Sequence, residues 1–310
     1  MVRSVEVFAP ATVANVGAGF DMMGFAVDGL GDRLVLRTND SDKITISLIT
    51  GDQGKISRVP EENTAGVALL DFMNHLDIRQ GLDLEIHKSS PIGSGLGSSA
   101  SSAVAAVFGL NELLGNPVKA RCGLIPFALQ GEKLASGGIH ADNIAPSMLG
   151  GLLIIRSVEP LDLVPVPVPV QLCAVLIHPE LQILTKEARN LVPKMVPLHD
   201  TISQMASVAG FIMAMVNNDM NLLSRSFHDL LAEPYRAPLI RGYAAVKKAA
   251  LDEGAIGCSI SGSGPTVFAF AADLEKAALV GAAMVSAFAS AGVAARAFLS
   301  PINQTGTYSR

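Results

Sequence analysis

The sequence predicts an α+β protein of two domains, and three features support this prediction. Its 310 residues are enough for two domains of ordinary size. The first half alternates strands and helices around the glycine-rich stretch "SSPIGSGLGSSA", which is typical of a mixed α/β domain. The second half, once its additional helices are set aside, has the order β-α-β-β-α-β of a ferredoxin-like domain.

A proline-rich segment, "EPLDLVPVPVPVQ", separates the two halves. Its prolines are concentrated between Pro160 and Pro169. Because proline lacks an N–H group, the segment cannot lie inside a helix or a central strand, and it forms a domain connection or an edge segment. We place the boundary here, which gives domains of residues 1–164 and 165–310.

Composition excludes several classes of protein. Charged residues make up only 16% and the net charge is −5, so the clustered Lys and Arg of a nucleic-acid surface are missing. No apolar run approaches the roughly 18 residues that a membrane-spanning helix needs. Cys122, Cys173 and Cys258 are far apart and fit neither a disulfide framework nor a zinc site. Glu6 lies where a signal peptide is apolar, so we expect a cytoplasmic protein.

Alternating apolar residues predict strands in the first half, and helix signals separate them. The strands are "SVEVFAP", ending at Pro10, then "RLVLRT", "KITISLI", "LDLEIHK" and "GGLLIIRSV". A helix capped by Asn63 or Thr64 precedes the glycine loop, and helices near 98–114 and 123–135 follow it. The second half combines the strands "QLCAVLIH", "AIGCSIS", "TVFAFAA" and "VAARAFLS" with several helices after the first strand and the helix "LEKAALVGAAMVSAFAS".

Gly93, Gly95 and Gly97 lie between the strand "LDLEIHK" and a helix. Glycines there let backbone N–H groups approach an anion, and the helix N-terminus adds partial positive charge, so we expect phosphate. A Walker A loop is excluded because no lysine follows these glycines. "GLGSSA" also fits a Rossmann fingerprint, but the strand before it alternates and is not apolar throughout. A structural reading stays open, in which small residues merely permit tight helix packing.

The same loop resembles the phosphate loop of the GHMP kinases, P-x-x-x-G-L-G-S-S-A. The matching residues are Pro91, Gly95, Leu96, Gly97, Ser98, Ser99 and Ala100. Further segments resemble that family in the same order, namely "APATVANVGAGFDMMGFAV", "ENTAGVA", "IHADNIAPSMLGG", "LTKEARNLVP", "EPYRAPLIRGY" and "SISGSGPTVFAF". The "HADN", "TKEAR" and "EPYR" segments resemble the homoserine kinase branch. Val16, Ala18 and Arg241 depart from the family pattern without removing a functional group.

The resemblance implies the two-domain GHMP kinase fold, with a nucleotide-binding first domain and ATP and Mg²⁺ as cofactors. Phosphoryl transfer depends mainly on positioning and charge neutralisation. Mg²⁺ prefers oxygen ligands, which the family places at Ser99 and Glu132. Without the resemblance, Ser99 reads as a helix cap and Glu132 as a solvated helix residue. The implied nucleotide-binding residues are Asn63, Pro91, Gly93, Gly95, Leu96, Gly97, Ser98, Ser99 and Ala100.

The implied acceptor is L-homoserine, a zwitterion whose phosphorylation feeds threonine biosynthesis. Arg189 and Arg236 suit its carboxylate, because a guanidinium binds two oxygens at once. Asp21 suits its ammonium group. The remaining implied substrate residues are Asn15, His140, Asn143, Thr185 and Gly262.

Asp142, with Arg189 and Asn143, is the implied catalytic set. Asp142 is a candidate general base, with an orienting role as the alternative, since general-base help is worth roughly 10²–10⁴-fold. Glycines in "SGSGPT" precede a strand, so we expect this loop to close over the phosphate or substrate while forming a hairpin turn. The family also implies a homodimer.

Other readings remain. A different GHMP acceptor, such as mevalonate or a sugar, would leave Asp21 or the two arginines without a partner. A non-catalytic relative that binds ligand as a sensor would be expected to lack a metal ligand, yet Ser99 and Glu132 are present.

Overall fold

The structure is a computed structural model that describes residues 3–136, 138 and 140–310, without the side chains of 135, 136 and 185. A mixed sheet lies in the first domain, in the strand order β11-β1-β2-β4-β3, with β5 paired to β2 and β6 paired to β5. Strand β11 (Tyr308–Ser309) comes from the far end of the sequence. The other strands of this domain are β1 (Ser4–Ala14), β2 (Met23–Asn39), β3 (Ile44–Thr50), β4 (Gly81–Lys88), β5 (Leu152–Val158) and β6 (Leu161–Val166). Its helices are α1 (Thr64–His75), α2 (Ser98–Leu113), α3 (Ile125–Ser136) and α4 (Ala141–Leu149), with 3₁₀ turns at Pro60–Glu62 and Arg121–Leu124.

Helix α2 lies in the middle of the first domain and holds the glycine loop in place. It packs on β1 and β2 and between α1 and α3, and nearly all of its residues are buried. A Cβ at Gly109 would lie 2.8 Å from Leu36 Cδ1, so small residues do permit close packing here. The expectation that small residues of this run permit tight helix packing is therefore supported, and the phosphate-loop reading stays a prediction.

The sequence predicted that the first strand ends at Pro10, and this prediction is wrong. It continues to Ala14, with a register shift between Pro10 and Thr12 against β2. An irregularity of this kind accommodates a residue without an N–H donor. The Pro10 carbonyl accepts hydrogen bonds from Ser101 Oγ (3.0 Å) and Ser147 Oγ (2.9 Å). The continuation brings the end of β1 to the glycine loop.

The proline-rich segment begins as the edge strand β6, which pairs antiparallel with β5. Pro165 lies within β6 opposite Leu153, where an edge position tolerates the missing donor. The predicted boundary after residue 164 thus falls inside a strand, and the chain reaches the second sheet at Cys173.

The second domain has the predicted ferredoxin-like topology. Its strands β7 (Cys173–Pro179), β8 (Gly257–Ile260), β9 (Val267–Ala271) and β10 (Ala295–Pro301) form an antiparallel sheet in the order β10-β7-β9-β8. The helices are α5 (Thr185–Asn190), α6 (Leu198–Asn217), α7 (Met220–Arg225), α8 (Glu233–Arg236), α9 (Tyr243–Asp252) and α10 (Leu274–Ser290), with a 3₁₀ turn at Ala237–Leu239. Within the described ranges, no helix is long and apolar enough to cross a membrane.

The two domains share a buried aromatic cluster. Phe25 of β2 contacts Phe268 and Phe270 of β9, with ring centroids 5.9 and 5.3 Å apart. Phe211 and Phe227 complete the cluster from the helical region. The chain then returns to the first sheet, where β11 (Tyr308–Ser309) pairs with β1. The α+β prediction is confirmed, and the cleft between the two sheets lies beside this shared core.

Candidate active site

A cavity of about 530 Å³ lies where the glycine loop of the first domain meets the loops of the second. Most of the site residues that the sequence predicted line it. They are Asn15, Asp21, Asn63, Gly93, Gly95, Gly97, Ser98, Ser99, Glu132, His140, Asp142, Asn143, Arg189, Arg236 and Gly262. The predicted Thr185 begins α5, but its side chain lies outside the described part of the structure.

The glycine loop needs glycine at two close approaches. Gly95 and Gly97 have φ values of 79° and 63°, a region that L side chains rarely adopt. A Cβ on Gly95 would lie 2.3 Å from Ser261 O, and one on Gly97 would lie 2.1 Å from Thr12 Oγ1. The backbone between β4 and α2 is therefore fixed by contacts from both domains.

Three predicted phosphate-loop residues do not line the cavity. Leu96 is fully buried in the core shared by the two domains, and Ala100 is fully buried in the core of the first. Pro91 lies at the entry to the loop and is half-buried. These residues shape the loop, while the cavity is lined by Gly93, Ser94, Gly95, Gly97, Ser98 and Ser99.

Ser99 and Glu132 form a direct pair beside the loop. Ser99 is the second residue of α2, and Gly97 holds the cap position, so the interpretation of Ser99 as the helix cap is wrong. Its hydroxyl donates a hydrogen bond of 2.6 Å to Glu132 Oε2, and Glu132 is buried on α3. Two oxygen groups at the cavity wall next to a phosphate-binding loop fit the chemistry of Mg²⁺.

Asn63 caps α1, as one of the two sequence readings proposed. Its Oδ1 accepts hydrogen bonds from the backbone N–H groups of Ala65 (3.0 Å) and Gly66 (3.4 Å). Its Nδ2 donates to Ser57 O at 2.8 Å. The cap fixes the wall of the cavity at this end, and one amide N–H of Asn63 remains for a ligand.

Asp21 and Arg189 form a bidentate ion pair at the opposite end. The guanidinium Nη1 and Nη2 lie 3.2 and 2.5 Å from the two carboxylate oxygens. Both side chains are more than one-third exposed. Parallel N–H···O bonds of this type are the strong form of an ion pair, but exposure allows the partners to exchange.

Arg236 is buried close to this pair and is held by backbone groups. Its Nη1 donates to Gly262 O at 2.8 Å, and its Nε donates to Ala188 O at 3.4 Å. The ring of Phe20 lies under both guanidinium groups, with Arg236 Cζ 5.2 Å and Arg189 Cζ 5.9 Å from the centroid. This end of the cavity is thus rich in positive charge and in N–H donors.

His140 presents a neutral imidazole to the cavity. Burial and the nearby Arg189 lower the pKa of His140. Arg189 donates to His140 Nδ1 at 3.5 Å, and a guanidinium has no acceptor, so the single proton of the ring lies on Nε2. That Nε2 is buried and has no hydrogen-bond partner within the described chain. It can donate to a ligand oxygen.

Asp142 is a buried carboxyl group with an unusual proton affinity. Burial first, and then the negative charges of Asp21 and Glu132, raise the pKa of Asp142 to about 7. Its Oδ1 is buried without a hydrogen-bond partner among the residues described. The group can therefore either accept or donate a proton near neutral pH.

The first turn of α4 and the end of β1 hold the remaining polar groups. Thr12 Oγ1 donates to Asn143 Oδ1 at 2.8 Å, which leaves the Asn143 amide N–H groups for the cavity. Asn15 Nδ2 donates to Gly262 O (2.9 Å), and Asn15 Oδ1 accepts from the Asp21 N–H (3.0 Å). Asn15 and Asp21 have φ values of 70° and 56°, which is strained backbone of the kind found at functional sites.

The "SGSGPT" loop is the predicted hairpin turn, joining β8 to β9. It also reaches the glycine loop, because Ser261 Oγ donates to Gly95 O at 2.7 Å and Thr266 N donates to Ser94 O at 3.1 Å. Gly262, in the middle of the turn, faces the cavity.

The sequence did not single out Thr12, Phe20 or Lys88. Thr12 orients Asn143, Phe20 lies under two arginines, and Lys88 lies at the cavity wall. Phe20 is adjacent to Asp21 and could have been found from that position. The sequence around Thr12 gives no sign of this role, because its hydrogen-bond partner Asn143 lies 131 residues further along the chain.

Comparisons with known proteins identify the fold and the family. The model of the GHMP kinases N terminal domain matches residues 63–151, and that of the GHMP kinases C terminal matches residues 211–290. A homoserine kinase of Chlorobium phaeobacteroides is 43% identical over 298 residues, which is 93% of each chain. The crystal structure of homoserine kinase from Cytophaga hutchinsonii matches with a TM-score of 0.96 and 46% identity, over 99% of this chain and 97% of that one.

More distant structures share only the fold. L. major mevalonate kinase, solved in complex with R-mevalonate, has a TM-score of 0.71 at 17% identity, over 95% of both chains. Lactococcus lactis galactokinase, solved with galactose, has a TM-score of 0.73 at 14% identity, over 99% of this chain and 95% of that one. The family matches and the full-length relatives show that the chain belongs to the GHMP kinases and, within them, to the homoserine kinases.

Proposed function

We propose that this chain transfers the γ-phosphoryl group of ATP to the side-chain hydroxyl of L-homoserine, giving O-phospho-L-homoserine for threonine biosynthesis. The observation that carries the proposal is the division of one cavity into two chemically distinct ends. A glycine loop at a helix N-terminus lies at one end, and Asp21, Arg189 and Arg236 lie at the other. The first suits phosphate groups and the second suits an amino acid.

At the nucleotide end, the backbone carries most of the binding. The N–H groups of residues 95–99 approach the ATP phosphates at the start of α2, and Asn63 offers its remaining N–H to the adenine side. Ser99 and Glu132, whose side-chain oxygens lie together beside the loop, would hold Mg²⁺. When bound, Mg²⁺ neutralises charge on the transferred phosphoryl group.

At the acceptor end, the substrate exchanges partners with an existing ion pair. Asp21 turns from Arg189 to the substrate ammonium group, while Arg189 and Arg236 take the carboxylate. A zwitterion replaces one ion pair by two and leaves no charge without a partner. His140 Nε2 and the Asn143 amide donate to substrate oxygens, and Asn15 and Gly262 hold the surrounding backbone.

Asp142 acts on the reacting hydroxyl. With a pKa raised to about 7, its carboxylate accepts the hydroxyl proton more readily than an ordinary aspartate would. The same oxygen orients the hydroxyl toward the phosphoryl group through a hydrogen bond.

An acceptor with one charge fits less well. Mevalonate would satisfy the arginines but leave Asp21 beside a carboxylate, and a sugar would leave the buried Arg236 unmatched. Such acceptors are the second candidate for a GHMP kinase with this fold. The alternative is tested by the same assay as the main proposal.

The deciding experiment measures ADP release from MgATP with L-homoserine, mevalonate, galactose or no acceptor. Turnover with homoserine alone supports the proposal. Turnover with another acceptor would retain the nucleotide end and overturn the roles of Asp21, Arg189 and Arg236. Binding of ATP without turnover on any acceptor would favour a ligand-binding sensor.

We further propose that the enzyme is a cytoplasmic homodimer that pairs through α6. One face of α6 carries Leu198, Ile202, Met205, Met213 and Val216, each exposed by half or more. Asp200 is the only charged residue of this helix apart from His199, so the stripe is uncharged along about 30 Å. Small alanines lie between Met205 and Met213, where two copies crossing antiparallel would approach most closely.

Light scattering after gel filtration tests the dimer. Met205→Glu should give the monomer mass, while Met195→Glu, which is 90% exposed but outside α6, should not. A wild-type monomer at micromolar concentration would overturn the proposal.

A further inference from the structure

A buried ion pair lies directly beneath the phosphate loop. Asp32 of β2 and Lys88 of β4 are opposite each other in the antiparallel register, and the Lys88 ammonium donates to Asp32 Oδ2. Both side chains are at most 2% exposed. Ser102 Oγ donates to the same carboxylate oxygen at 2.6 Å. Burying two charges is costly, and a well-packed apolar pair would often be at least as stable.

Lys88 connects the two ends of the phosphate loop. It is the last residue of β4, immediately before the loop, and its Nζ donates to the carbonyl oxygen of Ser98 at 2.6 Å. Ser98 is the first residue of α2, immediately after the loop. One side chain thus links the residue that enters the loop to the residue that leaves it.

Asp32 determines where this ammonium group lies. A lysine side chain is long and flexible, and Lys88 lies at the cavity wall where it could turn toward an incoming anion. Asp32 and Ser102 hold its Nζ on the α2 side instead. Asp32 Oδ1 has no hydrogen-bond partner in the described part of the chain, so the arrangement does not maximise hydrogen bonding.

The geometry points to Asp32 as a positioning residue for nucleotide binding. Acting through Lys88 and Ser102, it fixes the separation between the end of β4 and the start of α2. That separation sets the width of the ring of backbone N–H groups that receives the phosphates. The inference rests on the proposed nucleotide role of the loop, and it assigns no contact between Asp32 and the nucleotide.

Titration calorimetry with MgADP, in the absence of acceptor, tests the inference on five variants of the full chain, one of which is a control. Asp32→Asn and Lys88→Met should each raise the dissociation constant on the order of 10- to 100-fold, because a small displacement of the loop spoils several N–H contacts at once. The KM for homoserine should stay within about twofold, since the acceptor end is untouched. Ser102→Ala, the mildest change, should raise the dissociation constant by only a few-fold.

The double variant Asp32→Asn/Lys88→Met separates positioning from stability. It removes both buried charges, so its melting temperature should recover relative to the single variants, while MgADP affinity stays low. Arg37→Met is the matched control, because Arg37 also pairs across β2 and β4, with Glu85, but away from the loop. Its MgADP affinity should equal that of the wild type.

Several results would overturn the inference. One is a double variant that recovers both stability and affinity, which would make the pair purely structural. Another is an Asp32→Asn variant that binds MgADP normally while Lys88→Met does not, which would make Lys88 a nucleotide ligand in its own right. A wild-type protein that binds no MgADP would instead refute the proposed function, and the inference with it.

Discussion

The nucleotide end and the acceptor end of the cavity are built from different parts of the chain. At the nucleotide end the backbone between β4 and α2 is fixed by steric contacts at Gly95 and Gly97, and the nearby Lys88 is already paired with Asp32. At the acceptor end the charges belong to side chains, and Asp21 and Arg189 are partly exposed and paired with each other.

This difference separates the part of the site that we expect kinases of this fold to share from the part that we expect to determine the acceptor. We expect a backbone cradle of this kind to recognise phosphate whatever the acceptor is. We expect that the acceptor end, in contrast, can change by substitution of a few side chains. Preorganisation therefore dominates at one end, and exchange of ion pairs dominates at the other.

Loss of the proposed metal ligand Glu132 should give the largest effect. Glu132→Ala removes the carboxylate beside Ser99, and we expect kcat to fall by about 10³-fold, because charge on the transferred phosphoryl group is no longer neutralised. Turnover measured against Mg²⁺ concentration checks this. Glu275→Ala on the exposed start of α10 serves as the control and should be fully active. An active Glu132→Ala enzyme with unchanged Mg²⁺ dependence would refute the metal role.

The next largest effect concerns Asp142, which lies between the two ends. Asp142→Asn should lower kcat by about 10²-fold at pH 8. In the wild type, kcat should rise with pH up to about 7, as the carboxyl loses its proton, and then level off. The Asp142→Asn variant should lack this rise of kcat with pH. If the variant retains the rise, the pH dependence of kcat belongs to another group.

The same carboxyl group affects stability in the opposite direction. Its pKa is higher in the folded state, at about 7, than the ordinary aspartate value of about 3.9, so the folded state binds the proton more tightly. Stability should therefore fall as pH rises between these two values. Asp142→Asn should raise the melting temperature more at pH 8 than at pH 4, as calorimetry can measure.

Breaking the ion pair should affect only the acceptor end. Arg189→Met should lower kcat/KM for homoserine by at least about 30-fold, because Asp21 and the substrate carboxylate both lose a partner. The dissociation constant of MgADP should not change. Arg296→Met, which removes an exposed arginine, is the control. Equal losses of kcat/KM for homoserine and of MgADP affinity would mean that the two ends of the cavity are not independent.

The smallest effect should come from the helix cap at Asn63. Asn63→Ala removes the acceptor for two backbone N–H groups and should cost about 1 kcal/mol of unfolding free energy. Asn63→Asp keeps the cap oxygen but loses the amide that donates to Ser57 O. If Asn63 also contacts adenine through that amide, the Asp variant should bind MgADP more weakly than its stability predicts.

The sequence was most informative where chemistry depends on the backbone. The strand, glycine loop and helix around Gly95 were predictable because only glycine fits those contacts, and the α10 helix was predicted with its observed bounds, Leu274–Ser290. The ferredoxin-like order followed from the alternation of its strands.

The sequence was least informative where partners are distant along the chain. Asp21 and Arg189 are 168 residues apart, and the family resemblance assigned both to the substrate without predicting that they pair with each other. The Asp32–Lys88 pair depends on the register of β2 against β4, which an alternating pattern does not specify. The passage of β1 through Pro10 was missed because the two serines that bond the Pro10 carbonyl come from α2 and α4.

The return of the chain end to the first sheet has a practical consequence. Because β11 pairs with β1 and Ile302 bridges Val27, the second domain is joined to the first at both of its ends. A fragment cut after the proline-rich segment would lack a strand of its own sheet, and we expect it to express poorly. An affinity tag at this end should be separated from Tyr308 and Ser309 by a flexible spacer, so that β11 can still pair with β1. For the same reason, we expect the cleft to open only by small movements of the second domain.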